Sequence, residues 1–148
     1  MDDANTFWSR LVVKHNIHWH VILTHFPISF ITASAGFMVL HIYTYIECFE
    51  MAGYLCLLAG VVMTIPTAVT GWSTWKSKYK GARTKIFTYK IKISYLMIIL
   101  GILLILFRAY LVKGEHTLWH FVYGFGFIGL FFASMMEGYY GGRLNHHR

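Results

Sequence analysis

The chain has 148 residues, 57% of them hydrophobic and 13% charged, and so carries more apolar surface than a small soluble domain buries. The net charge of +7 would suit a nucleic-acid partner, but the basic residues cluster just outside the apolar stretches, as they do in membrane proteins. We therefore predict an integral membrane protein with no nucleic-acid partner.

Four apolar stretches account for nearly the whole chain, and each has about the 20 residues that a helix needs to cross a bilayer. The first ten residues carry Asp2, Asp3 and Asn5, and no cleavage site follows the first stretch, so we expect the first helix to be retained. The predicted organisation is an N-terminal segment 1–18, a transmembrane domain 19–140 and a tail 141–148. The predicted helices span about residues 19–43, 49–72, 87–112 and 117–140, with a loop at 73–86.

Charge patterning predicts how these helices are oriented. The loop at 73–86 is rich in Lys and Arg, whereas the turn between the first two helices carries Glu47 and Glu50 and no basic residue. Because cytoplasmic loops retain Lys and Arg, we expect the loop and both termini to be cytoplasmic. Short connections make sequential helices neighbours, so the predicted fold class is an all-α, up-down-up-down four-helix bundle. A bacterial or archaeal cytoplasmic membrane is the expected location.

Small residues recur on three of the helices at spacings of three, four or seven, which is typical of faces where membrane helices pack closely. The tryptophans lie near the ends of the apolar stretches, where aromatic side chains anchor helices at the membrane interfaces. We therefore predict close helix packing and interfacial aromatic belts. The predicted packing residues are Gly53, Gly60, Ser94, Gly101, Gly126, Gly129 and Ala133.

Three stretches carry distinctive motifs: His-x4-His-Phe-Pro-Ile at 20–28, a proline and then Thr-Gly-Trp at 65–72, and Gly-Gly-Arg-Leu within 137–144. In order and spacing they resemble a family of predicted membrane proteins called domain of unknown function 2231. The resemblance implies a four-helix membrane fold and no established activity. Family members found beside or fused to c-type cytochrome domains make electron transfer the associated expectation. This chain departs from the family at Tyr89 and Lys90, where a His is frequent, and in its last residues, 145–148.

Histidines near or within the helices are the leading site candidates, because ionisable residues are costly to place at membrane depth. In the predicted bundle the end of the first helix and the start of the fourth lie on the same, outer side, so His41 and His120 come to similar depth. Two histidines on opposite sides of a flat ring are a common way to ligate haem iron. We predict haem b between His41 and His120, with His116 one helical turn from His120.

Other residues at the outer end support this predicted haem site. Gly124 and Gly126 follow His120 closely and would make room for the macrocycle. Arg108 and Lys113 are expected at the same end, where their positive charges would meet the haem propionates. The alternative for each histidine is an interfacial ring whose nitrogens bond backbone carbonyls or water.

His25 is the candidate ligand for a second haem near the inner end. It lies 16 residues before His41, which on a straight helix is about 24 Å and about 160° in azimuth, so one ring cannot use both. No inner partner for His25 stands out, and a hydrogen bond at the start of the helix beside Pro27 is the alternative.

Two further polar features concern the second and fourth helices. Pro66 and the three threonines around it predict a kinked helix whose hydroxyls bond backbone carbonyls, with a quinone or ion site as the alternative. Glu137 is expected to pair with Arg143 or with a basic residue of the loop, with a proton-relay role as the alternative.

These observations favour one function over two others. The first is a membrane b-type cytochrome subunit, carrying one or two haems, of a respiratory or photosynthetic complex with other membrane or redox subunits. The second is a cofactor-free structural or assembly subunit. The third is a small transporter or channel, which the wholly apolar stretch from Met97 to Phe107 disfavours. The sequence contains no nucleophile-base, phosphate-loop or zinc motif, so we expect no catalysis by the chain alone.

Overall fold

The chain folds into long helices that are apolar enough to span a membrane. The computed structural model describes the backbone of residues 19–78, 80–81, 84–111 and 118–146, and the side chains of 20–76, 80–81, 84–110 and 121–143. Each helix contains a stretch long and apolar enough to cross the hydrocarbon core, as predicted. The helices of the described residues are α1 (Trp19–Thr44), α2 (Glu47–Lys78), α3 (Lys85–Leu111) and α4 (Leu118–His146).

Two helices continue past the ends predicted from hydropathy. Helix α2 runs to Lys78 rather than to residue 72, and α4 runs to His146 rather than to residue 140. The prediction was short because hydropathy marks only the part of a helix inside the hydrocarbon, whereas the backbone hydrogen bonds of a helix can continue through polar residues beyond it. Part of the predicted loop at 73–86 and most of the predicted tail at 141–148 are therefore helical.

The helices are arranged in a ring in which α1 and α3 each contact both α2 and α4. Within the described residues α1 does not approach α3, and α2 does not approach α4. At each contact, residue numbers that rise along one helix fall along its neighbour. The contacts between α1 and α2 are Ser34 with Gly53 and His20 with Gly71, and those between α3 and α2 are Arg108 with Glu50 and Phe87 with Trp75. The contacts between α3 and α4 are Leu104 with Gly126 and Lys90 with Gly141, and those between α1 and α4 are Ile42 with Gly124 and Ile28 with Gly138.

The bundle has two distinct ends, which we call the turn end and the loop end. At the turn end, Tyr45 adopts a left-handed backbone conformation with a φ of 57°, and its N–H donates to the carbonyl of His41 over 2.8 Å. This reversal lets α2 begin after only Tyr45 and Ile46. The loop end holds the start of α1, the connection from α2 to α3, and the end of α4. Gly81 lies in that connection with a φ of 71°, which glycine adopts without strain.

Small residues bring the helices into close contact, as predicted. A side-chain carbon added at Gly60 would lie 3.0 Å from Cγ1 of Ile31, and one added at Gly53 would lie 3.2 Å from the carbonyl oxygen of Ser34. The Ser34 hydroxyl donates back to the carbonyl of Gly53 over 2.7 Å. Helices α1 and α2 therefore approach closely enough for side chain and backbone to bond across the interface.

Apolar side chains occupy both the interior and the outer surface of the bundle. Tyr123, Leu57 and Leu130 are almost completely buried among apolar neighbours. On the outside, Val69 and Phe125 expose 65% and 71% of their surface. A protein surface this apolar would promote aggregation in water, whereas the lipid of a bilayer solvates it. The distribution therefore agrees with a membrane-embedded bundle.

Candidate functional site

A cluster of polar residues at the turn end is built around an ion pair between α2 and α3. Arg108 Nε donates to Glu50 Oε1 over 2.7 Å, and Arg108 Nη2 donates to Glu50 Oε2 over 2.8 Å. Both side chains are largely buried, with 24% of Arg108 and 13% of Glu50 exposed. Two parallel charge-assisted bonds fix the orientation of both groups, which a single contact would not do.

The same guanidinium is held from a second side by an aromatic ring. The Cζ atom of Arg108 lies 4.0 Å from the centroid of Tyr54, which is one helical turn after Glu50 on α2. This distance is within the range of a cation–π contact, and partial burial strengthens such a contact. Arg108 is therefore positioned by two residues of one neighbouring helix.

His41 is a buried histidine at the last turn of α1, with only 7% of its surface exposed. Its Nδ1 lies 3.0 Å from the carbonyl oxygen of Ile46 in the turn between α1 and α2. A carbonyl oxygen only accepts hydrogen bonds, so Nδ1 carries the proton in this contact. The turn thereby fixes both the tautomer and the orientation of the His41 ring.

Tyr123 fills the interior of the turn end. It is fully buried, stacks on Phe107 with 6.4 Å between ring centroids, and meets Phe127 edge to face at 4.9 Å. Its hydroxyl has no hydrogen-bond partner among the described residues. Glu50 and Arg108 are close enough to act on this hydroxyl electrostatically. The turn end therefore holds one buried polar atom whose hydrogen-bonding capacity the described residues do not meet.

The predicted outer site is only partly described. His41 is buried at the turn end, as its proposed role requires, and Arg108 lies at the same end but bonds Glu50. His120 is described by its backbone only, two residues after the start of α4, and His116 and Lys113 lie outside the described residues. The pairing of His41 with His120 remains a prediction.

A second polar cluster lies at the loop end and draws on all four helices. Its members are His20 on α1, Thr70 on α2, Lys90 on α3 and Glu137 on α4. Lys90 forms an ion pair with Glu137, and His20 lies beside Thr70 at the same end of the bundle. We call these four residues the loop-end cluster.

In the α1–α2 half of the loop-end cluster, His20 Nδ1 lies 3.4 Å from Thr70 Oγ1. The Thr70 hydroxyl donates its only proton to a backbone carbonyl, that of Pro66 at 2.9 Å or of Thr67 at 3.0 Å. Its oxygen therefore accepts from His20, whose Nδ1 carries a proton in this contact. Gly71 leaves room for the ring, because a side-chain carbon there would lie 2.8 Å from His20 Cε1.

In the α3–α4 half, Lys90 Nζ lies 3.3 Å from Glu137 Oε1, with 13% and 12% of the two side chains exposed. The second carboxylate oxygen, Oε2, is buried and has no hydrogen-bond partner in the described part of the chain. The acid is thus paired with a residue of the neighbouring helix rather than with Arg143. Six residues place Glu137 and Arg143 about 120° apart around one helix, and Arg143 instead lies over the ring of Tyr139.

The three stretches with family-like motifs all contribute to this second cluster. His20 begins the first stretch, Thr70 belongs to the second, and Glu137 begins the third. The predicted site residues included none of these four, because the prediction centred on a haem pair at the opposite end, with His25 as its one candidate near the inner end. The signal in the sequence was that His20, Thr70 and Glu137 each belong to one of the three motif stretches.

The remaining sequence-predicted features lie outside the two clusters. His25 is exposed on the surface of α1, and its proposed ligand role remains a prediction. The threonines around Pro66 bond backbone carbonyls, as predicted: Thr64 bonds that of Gly60 and Thr67 that of Met63, each at 2.8 Å. Among the described residues no three His, Cys, Asp or Glu side chains lie close enough together to hold a metal ion.

Between the two clusters the described interior is mostly apolar, and its buried hydroxyl groups bond backbone carbonyls. Ile31, Leu57, Met97 and Leu130 are buried there. The buried hydroxyl of Ser134 donates to the carbonyl of Phe131, so it bonds its own helix rather than other side chains. No chain of polar side chains therefore joins the two ends through the described part of the bundle.

The family comparison agrees with this architecture. The model of the family described as "Predicted membrane protein (DUF2231)" matches residues 14–147. The match covers all four helices and both polar clusters. No curated protein and no solved structure matches the chain.

Proposed function

The chain belongs to the DUF2231 family of predicted membrane proteins, and we propose that it is an electron-transfer subunit that holds haem b at the turn end. The observation that supports the proposal most directly is the buried ring of His41 in a membrane-spanning helix, oriented by the carbonyl of Ile46. A histidine that binds a metal through Nε2 commonly donates Nδ1–H to a carbonyl in this way, and this contact fixes the ring. When bound, haem b supplies one-electron exchange between ferric and ferrous iron.

His120 is the proposed second axial ligand. The backbone of α4 begins at Leu118, and Gly124, one turn after His120, lies against Ile42 of α1. The two histidines are therefore proposed to approach from neighbouring helices at the same end, as bis-His ligation requires. His116 is proposed to line the same site.

Arg108 is proposed to influence the site as one half of a fixed ion pair. Its charge is already balanced by Glu50, so the pair places a dipole beside the site rather than a free cation. The fully buried Tyr123 hydroxyl is the polar atom that a bound group would satisfy. These residues exclude water from the turn end and hold its polar groups in place.

We propose an up-down-up-down orientation with the loop end and both termini in the cytoplasm. Exposed lysines concentrate at the loop end, and cytoplasmic segments of membrane proteins retain such residues. We propose that the chain exchanges electrons with other membrane or redox subunits that dock against it. His25 would serve a second haem near the loop end.

A cofactor-free structural subunit is the competing function. The two ion pairs favour it, because Arg108 is neutralised by Glu50 and Lys90 by Glu137, both within the chain. Charged residues that only join helices need no ligand. The absence of a polar path through the described interior disfavours a channel formed by one chain.

Haem content of variants distinguishes the two functions. We expect His41→Ala and His120→Ala each to lose haem b, measured by pyridine haemochrome on detergent-purified protein, while both variants still insert into membranes. His25→Ala should keep the turn-end haem and lower the total only by the proposed second haem near the loop end. Equal haem content in wild type, His41→Ala and His120→Ala would exclude this ligand pair.

Cysteine labelling tests the orientation. Cys48 is exposed at the turn end and Cys56 is partly buried, so a membrane-impermeant maleimide should label Cys48 from outside intact spheroplasts. Maleimide labelling of the Cys48→Ser variant measures how much of the signal comes from Cys56. A cysteine placed at Lys80, in the Cys48→Ser background, should react only after the membrane is permeabilised. The reverse pattern would invert the proposed orientation.

A further inference from the structure

An open groove lies between α2 and α3 at the loop end. It has a volume of about 240 Å³ and is lined by Trp75 at the end of α2 and by four residues of the first two turns of α3. Those four residues are Phe87, Thr88, Ile91 and Lys92. The groove faces outward, because Thr88, Ile91 and Lys92 are all exposed. It is therefore on the side of the bundle that meets lipid.

The walls of the groove suit a hydrocarbon chain. Trp75 and Phe87 face each other across the helix contact with 6.5 Å between ring centroids, and Trp72 extends the aromatic surface 5.1 Å from Trp75. Ile91 continues this surface along α3 towards the middle of the bundle. Aromatic rings at this depth anchor helices among lipid headgroups and the first acyl carbons.

The rim of the groove is positively charged. Lys92 lines the groove, and Lys85, seven residues earlier, lies on nearly the same face of α3, about 20° away. Lys76 adds a third charge, with its Nζ 5.3 Å from the ring of Trp72. None of the three forms an ion pair with a described carboxylate. Their charges are therefore available to an anion.

We propose that this groove binds an anionic glycerophospholipid of the inner leaflet. One acyl chain lies along Trp75, Phe87 and Ile91, and the phosphate is held by Lys92 with Lys85 or Lys76. Basic pockets between membrane helices on the cytoplasmic side recognise anionic headgroups in this way. The first turn of α3 contains no acidic residue, so its positive helix end adds to the attraction. This proposal is independent of haem binding.

The probes for the experiment are dioleoylphosphatidylglycerol and dioleoylphosphatidylcholine, which have the same acyl chains and differ in headgroup charge. Purified full-length protein is titrated with each lipid in detergent and the bound lipid is counted by native mass spectrometry. We expect phosphatidylglycerol to bind more tightly, and Lys92→Gln to weaken its binding about fivefold. Equal binding of the two lipids by the wild type would overturn the proposal.

Two further variants locate the lipid within the chain. Arg143→Gln removes one positive charge from the end of α4, away from the groove, and should leave phosphatidylglycerol binding within about twofold of the wild type. Thr88→Trp fills the groove without changing the charge and should abolish the preference for phosphatidylglycerol. If Arg143→Gln matches Lys92→Gln, or if Thr88→Trp binds like the wild type, the groove is not the lipid site.

Discussion

The two ends of the bundle each join neighbouring helices with a buried ion pair, but the two pairs differ in how completely they are satisfied. At the turn end, both oxygens of Glu50 accept from Arg108 at 2.7 and 2.8 Å, and Tyr54 supports the guanidinium. At the loop end, Lys90 meets one oxygen of Glu137 at 3.3 Å, and the other oxygen has no described partner.

This difference separates a fixed arrangement from an adjustable one. A bidentate pair allows one geometry, so it holds α2 and α3 in a set position at the turn end. The ion pair at the loop end is a single longer contact, with Ser94 as a further hydrogen-bonding neighbour of the Glu137 carboxylate, so it constrains the two helices less. The turn end thus holds its ion pair in one geometry, whereas the loop-end pair is held more loosely.

Breaking the turn-end pair should have the largest effect on stability. In Arg108→Ala the largely buried Glu50 loses both of its bonds, so we expect the free energy of unfolding to fall by about 3–5 kcal/mol. Reversible unfolding in mixed SDS micelles measures this change. The control is the double variant Glu50→Leu with Arg108→Leu, which leaves no unpaired charge and should recover most of the loss. No recovery would show that the pair is not the source of the effect.

Breaking the loop-end pair should cost less. Lys90→Met removes the counter-charge of Glu137, but the carboxyl group can take up a proton, so we expect a loss of about 2–3 kcal/mol in the same assay. Lys92→Met is the control, because Lys92 is exposed on the same helix and forms no ion pair with a described residue. A larger loss for Lys90→Met than for Arg108→Ala would reverse the comparison between the two ends.

Crowding the loop-end cluster should have a smaller effect. In Gly71→Ala the new carbon would lie 2.8 Å from His20 Cε1, so the ring must move away from Thr70. We expect a loss of about 1–2 kcal/mol, measured as for the ion pairs. Gly142→Ala is a matched control on α4, because a carbon there has no neighbour within 4 Å among the described residues. Helix propensity favours Ala over Gly in both variants, so an equal loss in Gly142→Ala would contradict crowding of His20 as the cause.

The smallest predicted effect concerns the hydroxyl of Thr70. Thr70→Val keeps the shape of the side chain but removes the hydroxyl that lies 3.4 Å from His20 Nδ1, and we expect a loss of about 0.5–1.5 kcal/mol. Thr70→Ser keeps the hydroxyl and should behave like the wild type. A loss in Thr70→Ser as large as in Thr70→Val would assign the effect to packing of the methyl group.

The fold was predictable from the sequence because membrane insertion depends on local composition. Each helix carries its own apolar stretch, and the small residues that let helices approach, such as Gly60, have a recognisable spacing. The helix ends were harder to predict, because α2 continues to Lys78 through polar residues that hydropathy excludes. Helix formation there depends on backbone propensity rather than on the solvent.

The ion pairs were not predictable, because each joins positions far apart in sequence. Glu50 and Arg108 were interpreted separately, as a charge of the turn and as a partner of the propionates, although they are 58 residues apart and in direct contact. Lys90 was the partner that sequence reasoning did not choose for Glu137. Which residues of two helices face each other depends on helix rotation, and apolar residues on every face leave that rotation undetermined.

The most direct test of the proposed function is haem quantitation of the wild-type chain. The protein should be expressed with haem supplied, purified with its natural partner subunits, and analysed by pyridine haemochrome and by reduced-minus-oxidised absorption spectra. We predict haem b in at least equimolar amount, with the turn-end haem lost in His41→Ala. A colourless wild-type protein under these conditions would contradict the electron-transfer proposal and leave a membrane bundle whose charged ends only join its helices.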